Sequence, residues 1–507
     1  VLGARVSVDH PTAEIVGASA THLPSGALLA AGGFRGRVLG EALGSSQTST
    51  LDLVTPAWLP GVPMAAARYG AGVISLGSGA ALALGGQDEP GAPTAPEFCG
   101  PLGQGTLDGI DTSTFDTVGD PAIDRTFPWL HLAPDGRVLR AGWDERYALL
   151  DTTGTGEISL SASRESVQRA FGTSTQLRGD RVLVVGGTDH RGVATREAQR
   201  SAIELRLTGP LPQIVGANPM TFRRADHDAT ILADGRMLVT GGAAVHAGAA
   251  AGSAIQVAEL FDPDTGAWTL AARSSRPRGY RSTALLVPDG RVWRGGGDPA
   301  GPTAEFYEPP YLFDASGALA SRPSILDAPR RVAYGETFQT LWTGPSAIAR
   351  VSFVRLGAAT HGTNSDQRFL ELSFSDVGSG VLDVDAPLRG NDAPPGDYML
   401  FLIDGSGVPS AASIVTIGPP RPTAWTALAA LAGPSISARH EAGAAEVNGK
   451  LYLMGGRGSR PTQEYDPASR AWRSLAPTPI ELHHFQPVVL DGLVYVVGAF
   501  PGPIPNE

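Results

Sequence analysis

The 507-residue chain contains a single cysteine, Cys99, and a single lysine, Lys450. One thiol excludes an internal disulfide, so the fold must rest on apolar burial and hydrogen bonds. Nearly all positive charge is therefore arginine, and the formal net charge is −11. A nucleic-acid partner needs a basic face, so that class is excluded. No run of about 18 apolar residues occurs, which excludes a membrane-spanning helix. Long helical periodicity is also missing. The chain begins at Val1 without Met or a signal peptide, so it is expected to be processed or a fragment. A bacterial secreted or cell-surface protein is the location expected from these features.

Glycine and proline, by contrast, are plentiful at 65 and 41 residues, which suits short strands joined by turns. A glycine pair returns after an apolar strand. It appears as LLAAGG ending at Gly33, LALGG at Gly86, LVVGG at Gly187, LVTGG at Gly242, WRGGG at Gly297 and YLMGG at Gly456. Weaker copies end at Trp143 and Ala499. Most intervals are roughly 43 to 57 residues, the period of a kelch-type β-propeller blade. Within a repeat, an Arg or aromatic residue precedes an apolar strand, an Asp-Gly turn follows, and a second apolar strand ends in the glycines. ATILADGRMLVTGG (229–242) and TALLVPDGRVWRGGG (283–297) show the pattern. Asp-Gly suits tight hairpins because glycine tolerates positive φ.

The repeat breaks once, where 160 residues separate Gly296 from Gly456. Residues 322–417 fill the gap with alternating strands such as RVAYGETFQTLWT, ARVSFVRL and YMLFLID, the texture of an immunoglobulin-like β-sandwich. The expected class is all-β, with a kelch-type propeller over 1–321, a sandwich over 322–418 and further kelch units over 419–507. Those last units either close the first ring or open a second propeller. The stop after two strands at PGPIPNE favours the second.

Two stretches resemble the galactose oxidase and glyoxal oxidase group of copper-radical oxidases. They are RGYRSTALLVPDGRVWRGGG (278–297) with EFYEPPYLFDASGALASRPSI (305–325), and ARVSFVRLGAATHGTNSDQRFLELSF (349–374) with GDYMLFLIDGSGVPSAASIVTIG (396–418). The resemblance implies a seven-bladed propeller in which a sandwich loop sends a histidine up the central channel to one copper. It implies two imidazole ligands, an axial tyrosine, and an equatorial tyrosine cross-linked to a cysteine. His361 matches the channel histidine and Tyr280 the axial tyrosine. The second histidine should follow Tyr280, but Arg281 stands there, and a guanidinium has no lone pair to give. The cross-linking cysteine falls at Gly17, and Cys99 in EFCGP lies elsewhere. Tyr69 is the candidate equatorial tyrosine, one residue out of register, and the tryptophan that shields its ring would fall near Asp88.

From these losses the expectation is a non-catalytic binding or scaffold protein with no cofactor. Tyr69, Arg68, His227, Tyr280, Arg281 and His361 are the candidate channel-mouth residues, with His361 and Tyr280 the only weak metal candidates. His227 is placed there on the expectation that it holds in its blade the position Arg281 holds in its own. Such a mouth suits an acidic ligand such as a uronic acid, or is plugged by Arg281 pairing with Asp226 or Asp228. Carbohydrate or another surface component is the expected partner, with assembly into a larger complex also open. The alternative is a copper-dependent oxidase of a sugar or aldehyde with a rearranged site. The His483–His484 pair reads as a structural kelch position, and 242–254 reads as a flexible low-complexity loop.

Overall fold

The computed structural model describes residues 18–420 apart from 39–40, 53–56, 87–94, 111–126, 143–146, 162–167, 190–196, 247–252, 298–302 and 361; it further describes 436–501 apart from 468, 470, 491 and 497. Two units separate at the 421/422 junction. In the first, each glycine-pair repeat folds as an antiparallel sheet. The six sheets among the described residues begin with the inner strands Ser19–His22, Gly72–Ser75, Trp129–Leu132, Thr173–Gln176, Ala225–Ile231 and Ser282–Leu286. The first five are four-stranded and the sixth has three strands. Six such sheets are described where the resemblance implied a seven-bladed ring.

The inner strands lie side by side in chain order, so each sheet is a blade facing a common channel. Blades pack through aliphatic faces, as between Leu130, Val138 and Leu150 and their neighbours Ile74, Leu82 and Leu84. The glycine pairs lie where one blade's backbone presses on the next. Gly242 has φ +77°, and a Cβ there would fall 2.4 Å from the Ala225 carbonyl oxygen. Any side chain would force the backbones apart. The second glycine of a pair also donates its N–H across the blade boundary. Gly33 bonds the Arg68 carbonyl, Gly187 that of Arg224 and Gly242 that of Arg278, at 2.8–2.9 Å.

Those arginines repeat for a reason of charge. Arg68, Arg224 and Arg278 are fully buried, and each pairs with a glutamate on the third strand of its own blade: Glu97 at 2.9 Å, Glu259 at 3.0 Å and Glu305 at 3.4 Å. Each guanidinium also donates to a glycine carbonyl at the blade's own glycine pair, Gly85, Gly241 and Gly296 respectively. A guanidinium with five donors can tie the strand start, the glycine turn and the third strand together.

Residues 324–418 form two facing sheets around Val351, Phe353, Leu382, Leu400 and Ile417. The outer face of that sandwich packs on the propeller through Val354, Phe369, Met399 and Phe401 against Ile231, Leu232 and Leu238. From it the segment 355–368 enters the channel, with a small hairpin pairing Ala359–Thr360 to Thr363–Asn364. Asp366 accepts from the His22 N–H at 2.7 Å and the Thr21 hydroxyl at 2.8 Å, and it pairs with buried Arg355. Gln367 bonds the Ala229 carbonyl and the Ile231 N–H, and Arg368 donates to the Leu132 carbonyl. One loop thus stitches blades 1, 3 and 5.

In the second unit, Ala442–Val447, Lys450–Gly455, Pro461–Asp466 and Ala471–Pro477 make one full four-stranded blade. The strands after it form two pairs, Leu482–His483 with Phe500–Pro501 and Pro487–Leu490 with Leu493–Val496. The Arg-to-third-strand tie recurs, here as Arg439 donating to the Gln463 side chain. No described helix is long and apolar enough to cross a membrane.

Candidate functional site

In the second to sixth blades the residue at or just before the start of the inner strand turns sharply. At these turns φ is positive for Gly70, Phe127, Phe171, Asp226 and Arg281 (58° at Phe171, 59° at Asp226, 67° at Arg281). Only glycine takes this conformation freely, so the bulky residues here store strain of about 1–3 kcal/mol each. Two neighbouring pairs of these turns are linked by backbone hydrogen bonds. The Phe127 N–H donates to the Gly70 carbonyl, and the Asp226 N–H to the Phe171 carbonyl at 2.8 Å. The result is a ring of side chains held at one end of the channel.

Tyr280 and Tyr69 stand beside that ring. Burial raises the Tyr280 phenol above its ordinary range, the Arg281 guanidinium partly offsets this, and the Tyr69 phenol lies within electrostatic reach. The Arg281 guanidinium lies over the Tyr280 ring, 5.1 Å from its centroid, and is exposed. Tyr69 is flanked edge-to-face by Phe34 and Phe127 at 6.0 and 6.2 Å.

A further group enters from the loop read as flexible. His246 is buried, stacks on Phe171 with centroids 3.3 Å apart, and meets the Tyr280 ring edge-on at 5.9 Å. Its Nδ1 donates to the Asp226 carboxylate at 2.8 and 2.9 Å. With its hydrogen on Nδ1, the ring keeps a lone pair on Nε2, the usual state of a metal-ligating histidine oriented by a carboxylate. Sequence reasoning missed His246 because an alanine- and glycine-rich loop carries no periodicity, and nothing local shows which ring it will stack on.

Two expected mouth residues are elsewhere. Arg68 is wholly buried in its glutamate pair, so its charge belongs to the blade. His227 is fully buried too, and burial drives its imidazole down to about 3. It is Asp226, one residue earlier, that occupies the turn position. The suggested plug also fails in detail: Asp226 pairs with His246, and Asp228 accepts from the Ser282 hydroxyl at 2.6 Å. Tyr69, Tyr280 and Arg281 do lie together at the mouth. His361, Gly17 and Asp88 lie outside the described residues, although Gly362 beside His361 does reach the channel wall, accepting from the Thr173 hydroxyl at 2.5 Å.

Cys99 is buried in apolar surroundings with Leu29, Ala81 and Ala83, and burial pushes its thiol up to about 12. A thiol so protonated is inert. Tyr69 packs instead between phenylalanine rings.

With this geometry in hand, the relatives can be placed. Residues 322–417 match the family description Galactose oxidase-like, Early set domain. The chain is 27% identical over 394 residues to a galactose oxidase of Gibberella zeae, covering 74% of this chain and 58% of that protein. It is 28% identical over 348 residues to the aldehyde oxidase GLOX of Vitis pseudoreticulata, covering 60% and 64%. Among solved structures, a fungal alcohol oxidase of the AA5 family in complex with copper matches with a TM-score of 0.71 and 26% identity, covering 79% of this chain and 85% of that one. The chain is thus homologous to galactose oxidase and the glyoxal-oxidase-type aldehyde oxidases, and its fold is the galactose oxidase-like fold. It spans under two thirds of the length of the curated relatives named here.

These findings overturn the expectation of no cofactor. The named relatives are oxidases, and the matching solved structure holds copper. That expectation rested on Arg281 standing for a histidine and Gly17 for the cysteine, and neither position marks the loop from which His246 reaches Tyr280. The donors here fit such an ion: imidazole and phenol oxygen are ligands that suit copper.

Proposed function

We propose that this chain is a copper-dependent oxidase of alcohol- or aldehyde-bearing substrates whose metal pocket is rearranged. The observation that carries this reading is His246, fixed by Asp226 with its Nε2 lone pair free for a metal and set against Tyr280. It supplies the imidazole that Arg281 cannot. In this reading His246, Tyr280 and Tyr69 hold the ion, with His361 as the fourth donor implied by the resemblance. A bound copper supplies a one-electron couple beside the phenols and a Lewis-acidic position for a substrate oxygen.

The chain's own residues do the rest. Asp226 keeps the His246 tautomer and its orientation. Phe34, Phe127 and Phe171 give the mouth apolar walls that exclude water from the phenols. Arg281, exposed at the rim, is placed to bind a carboxylate, which makes a sugar acid or similar acidic carbohydrate the favoured substrate class. Tyr69 works without a thioether, because the chain's one thiol is buried in an apolar cluster while Tyr69 packs between Phe34 and Phe127. An extracellular setting fits a reaction that consumes oxygen and releases peroxide.

The test is copper content and peroxide release of the purified chain after copper loading under oxygen. The panel would be primary alcohols, aldehydes, neutral sugars and uronic acids. Close to one copper per chain, lost in His246→Gln with the circular dichroism spectrum unchanged, supports the reading. A copper-loaded chain that releases no peroxide from any of the panel overturns it.

A further inference from the structure

The second unit repeats the same strand-opening turn, and there it brings together three metal-ligating side chains. Glu441 and His484 have φ of 62° and 53°, the conformation of Asp226 and Arg281 in the first unit. The correspondence is carried by hydrogen bonds as well. The His484 N–H donates to the Glu441 carbonyl at 3.2 Å, as Asp226 donates to Phe171. The Gly456 N–H donates to the Leu482 carbonyl, as Gly242 donates to Arg278. Two bulky residues are thus held in a strained conformation on adjacent inner-strand openings, at a cost of about 1–3 kcal/mol each.

Their side chains converge. His483 Nδ1 and His484 Nδ1 are 2.8 Å apart. Glu441 Oε2 lies 3.5 Å from the first and 3.3 Å from the second. An ion bound at about 2.0–2.2 Å by cis or tetrahedral nitrogen and oxygen donors spaces them by about 3.0–3.5 Å. Two of the three separations fall in that window, and the third, the 2.8 Å between the imidazoles, lies just below it. Without an ion, the two facing Nδ1 atoms need a proton between them. An ion takes that proton's place, each ring then carrying its hydrogen on Nε2.

The surroundings orient the set. Arg457 Nε donates to Glu441 Oε2 at 2.6 Å and keeps the carboxyl below its usual range, so it is ionised at neutral pH. Its positive charge also opposes a cation, which argues for a modest affinity. His483 is fully buried and stacks on Phe500, while His484 meets the same ring edge-on. The side chain of His484 is 43% exposed, so one side of the set is open to solvent. A buried imidazole beside an open one leaves room for water as a fourth ligand.

We propose that Glu441, His483 and His484 form a second metal site, binding a divalent first-row transition ion of the zinc class. Two imidazoles and one carboxylate are a donor set that zinc and ferrous iron both accept. The site lies wholly in the second unit and is independent of the copper reading above. The histidine pair read as a structural kelch position is then structural and metal-binding at once, because the turn that shapes the blade start also gathers the donors.

The experiment is Zn2+ titration by calorimetry of the full chain after chelator stripping and dialysis, untagged, beside Glu441→Gln, His484→Gln and His246→Gln. The expected result is one Zn2+ event weakened at least about 100-fold by Glu441→Gln and by His484→Gln but kept in His246→Gln. Co2+ gives a second reading on the wild-type chain, where ligand-field bands of a nitrogen- and oxygen-bound ion should replace the aquo spectrum. Equal Zn2+ binding in the wild type and both second-unit variants overturns the proposal, as does loss in His246→Gln alone. A wild-type chain that binds no Zn2+ and leaves Co2+ as the aquo ion overturns it without any variant.

Discussion

Single residues in this protein divide into those that hold a blade and those that face the channel, and adjacent positions can do opposite jobs. Arg224 is buried with Glu259 and bridges three strands, while Asp226, two residues on, turns to the mouth. Removing one partner of a buried pair leaves an uncompensated charge, so Arg224→Ala should lower the unfolding free energy by about 3–5 kcal/mol in urea. A change under about 1 kcal/mol would show that the pair is not what holds the blade start. Arg281 belongs to the second kind. Arg281→Ala should raise KM for a uronic acid more than for a neutral sugar at similar kcat, since it is placed to meet a carboxylate outside the reacting group. An equal effect on both substrates would remove it from substrate binding.

Among the elements, the channel segment 355–368 is the one on which the most blades depend. It carries no long run of apolar side chains; its hold is polar and directional. Gln367 closes the exposed ends of the fifth blade's inner strand through two hydrogen bonds. Gln367→Ala leaves a buried N–H and a buried carbonyl unsatisfied, and each such group costs about 1–3 kcal/mol. The expected loss is about 2–4 kcal/mol, with faster amide exchange at Ile231 as its local signature. Unchanged exchange there would mean that the strand does not rely on the loop. The glycine pairs work at this scale too, since they allow the close approach that lets one blade's N–H reach the next blade's carbonyl.

For the whole molecule, burial is the largest influence on several histidines. Burial lowers His22 below the ordinary value of 6.5, and lowers His131 and His227 to about 3. In the unfolded chain these imidazoles bind a proton near pH 6.5, while in the folded chain the last two stay neutral to about 3. Unfolding therefore takes up protons between those limits, so stability is intact above the upper value and lost as pH falls towards the lower. His131 and His227 together steepen the dependence by about 3 kcal/mol per pH unit. Urea midpoints at pH 7, 6 and 5 should fall accordingly, and His131→Gln should reduce the slope by about half. A flat profile across that range would show that these rings are solvated in the folded state.

The repeat was legible because a glycine pair after an apolar strand answers a local requirement where blade backbones meet, and it recurs at most of those meetings. The sandwich was legible through its alternating strands and the THGTNSDQR and GDYMLFLIDGSGVPS segments. Tyr69, Tyr280 and Arg281 were reachable on the same basis, each sitting next to a repeat landmark. The blade count was less secure, because the spacing of glycine pairs cannot show which sheets close a ring.

Tertiary structure alone decided the make-up of the mouth. One residue of register separates a side chain buried in the blade from one facing the channel, which is why His227 was chosen where Asp226 belongs. His246 reaches Asp226 and Tyr280 across about 20 and 34 residues of chain, through a loop whose composition carries no signal of its destination. Glu441 and the histidine pair meet over a similar distance. Local sequence dictates strand, turn and strain, because those depend on neighbours in the chain. Which donors end up around one point depends on how blades close around an axis, and that is set by packing.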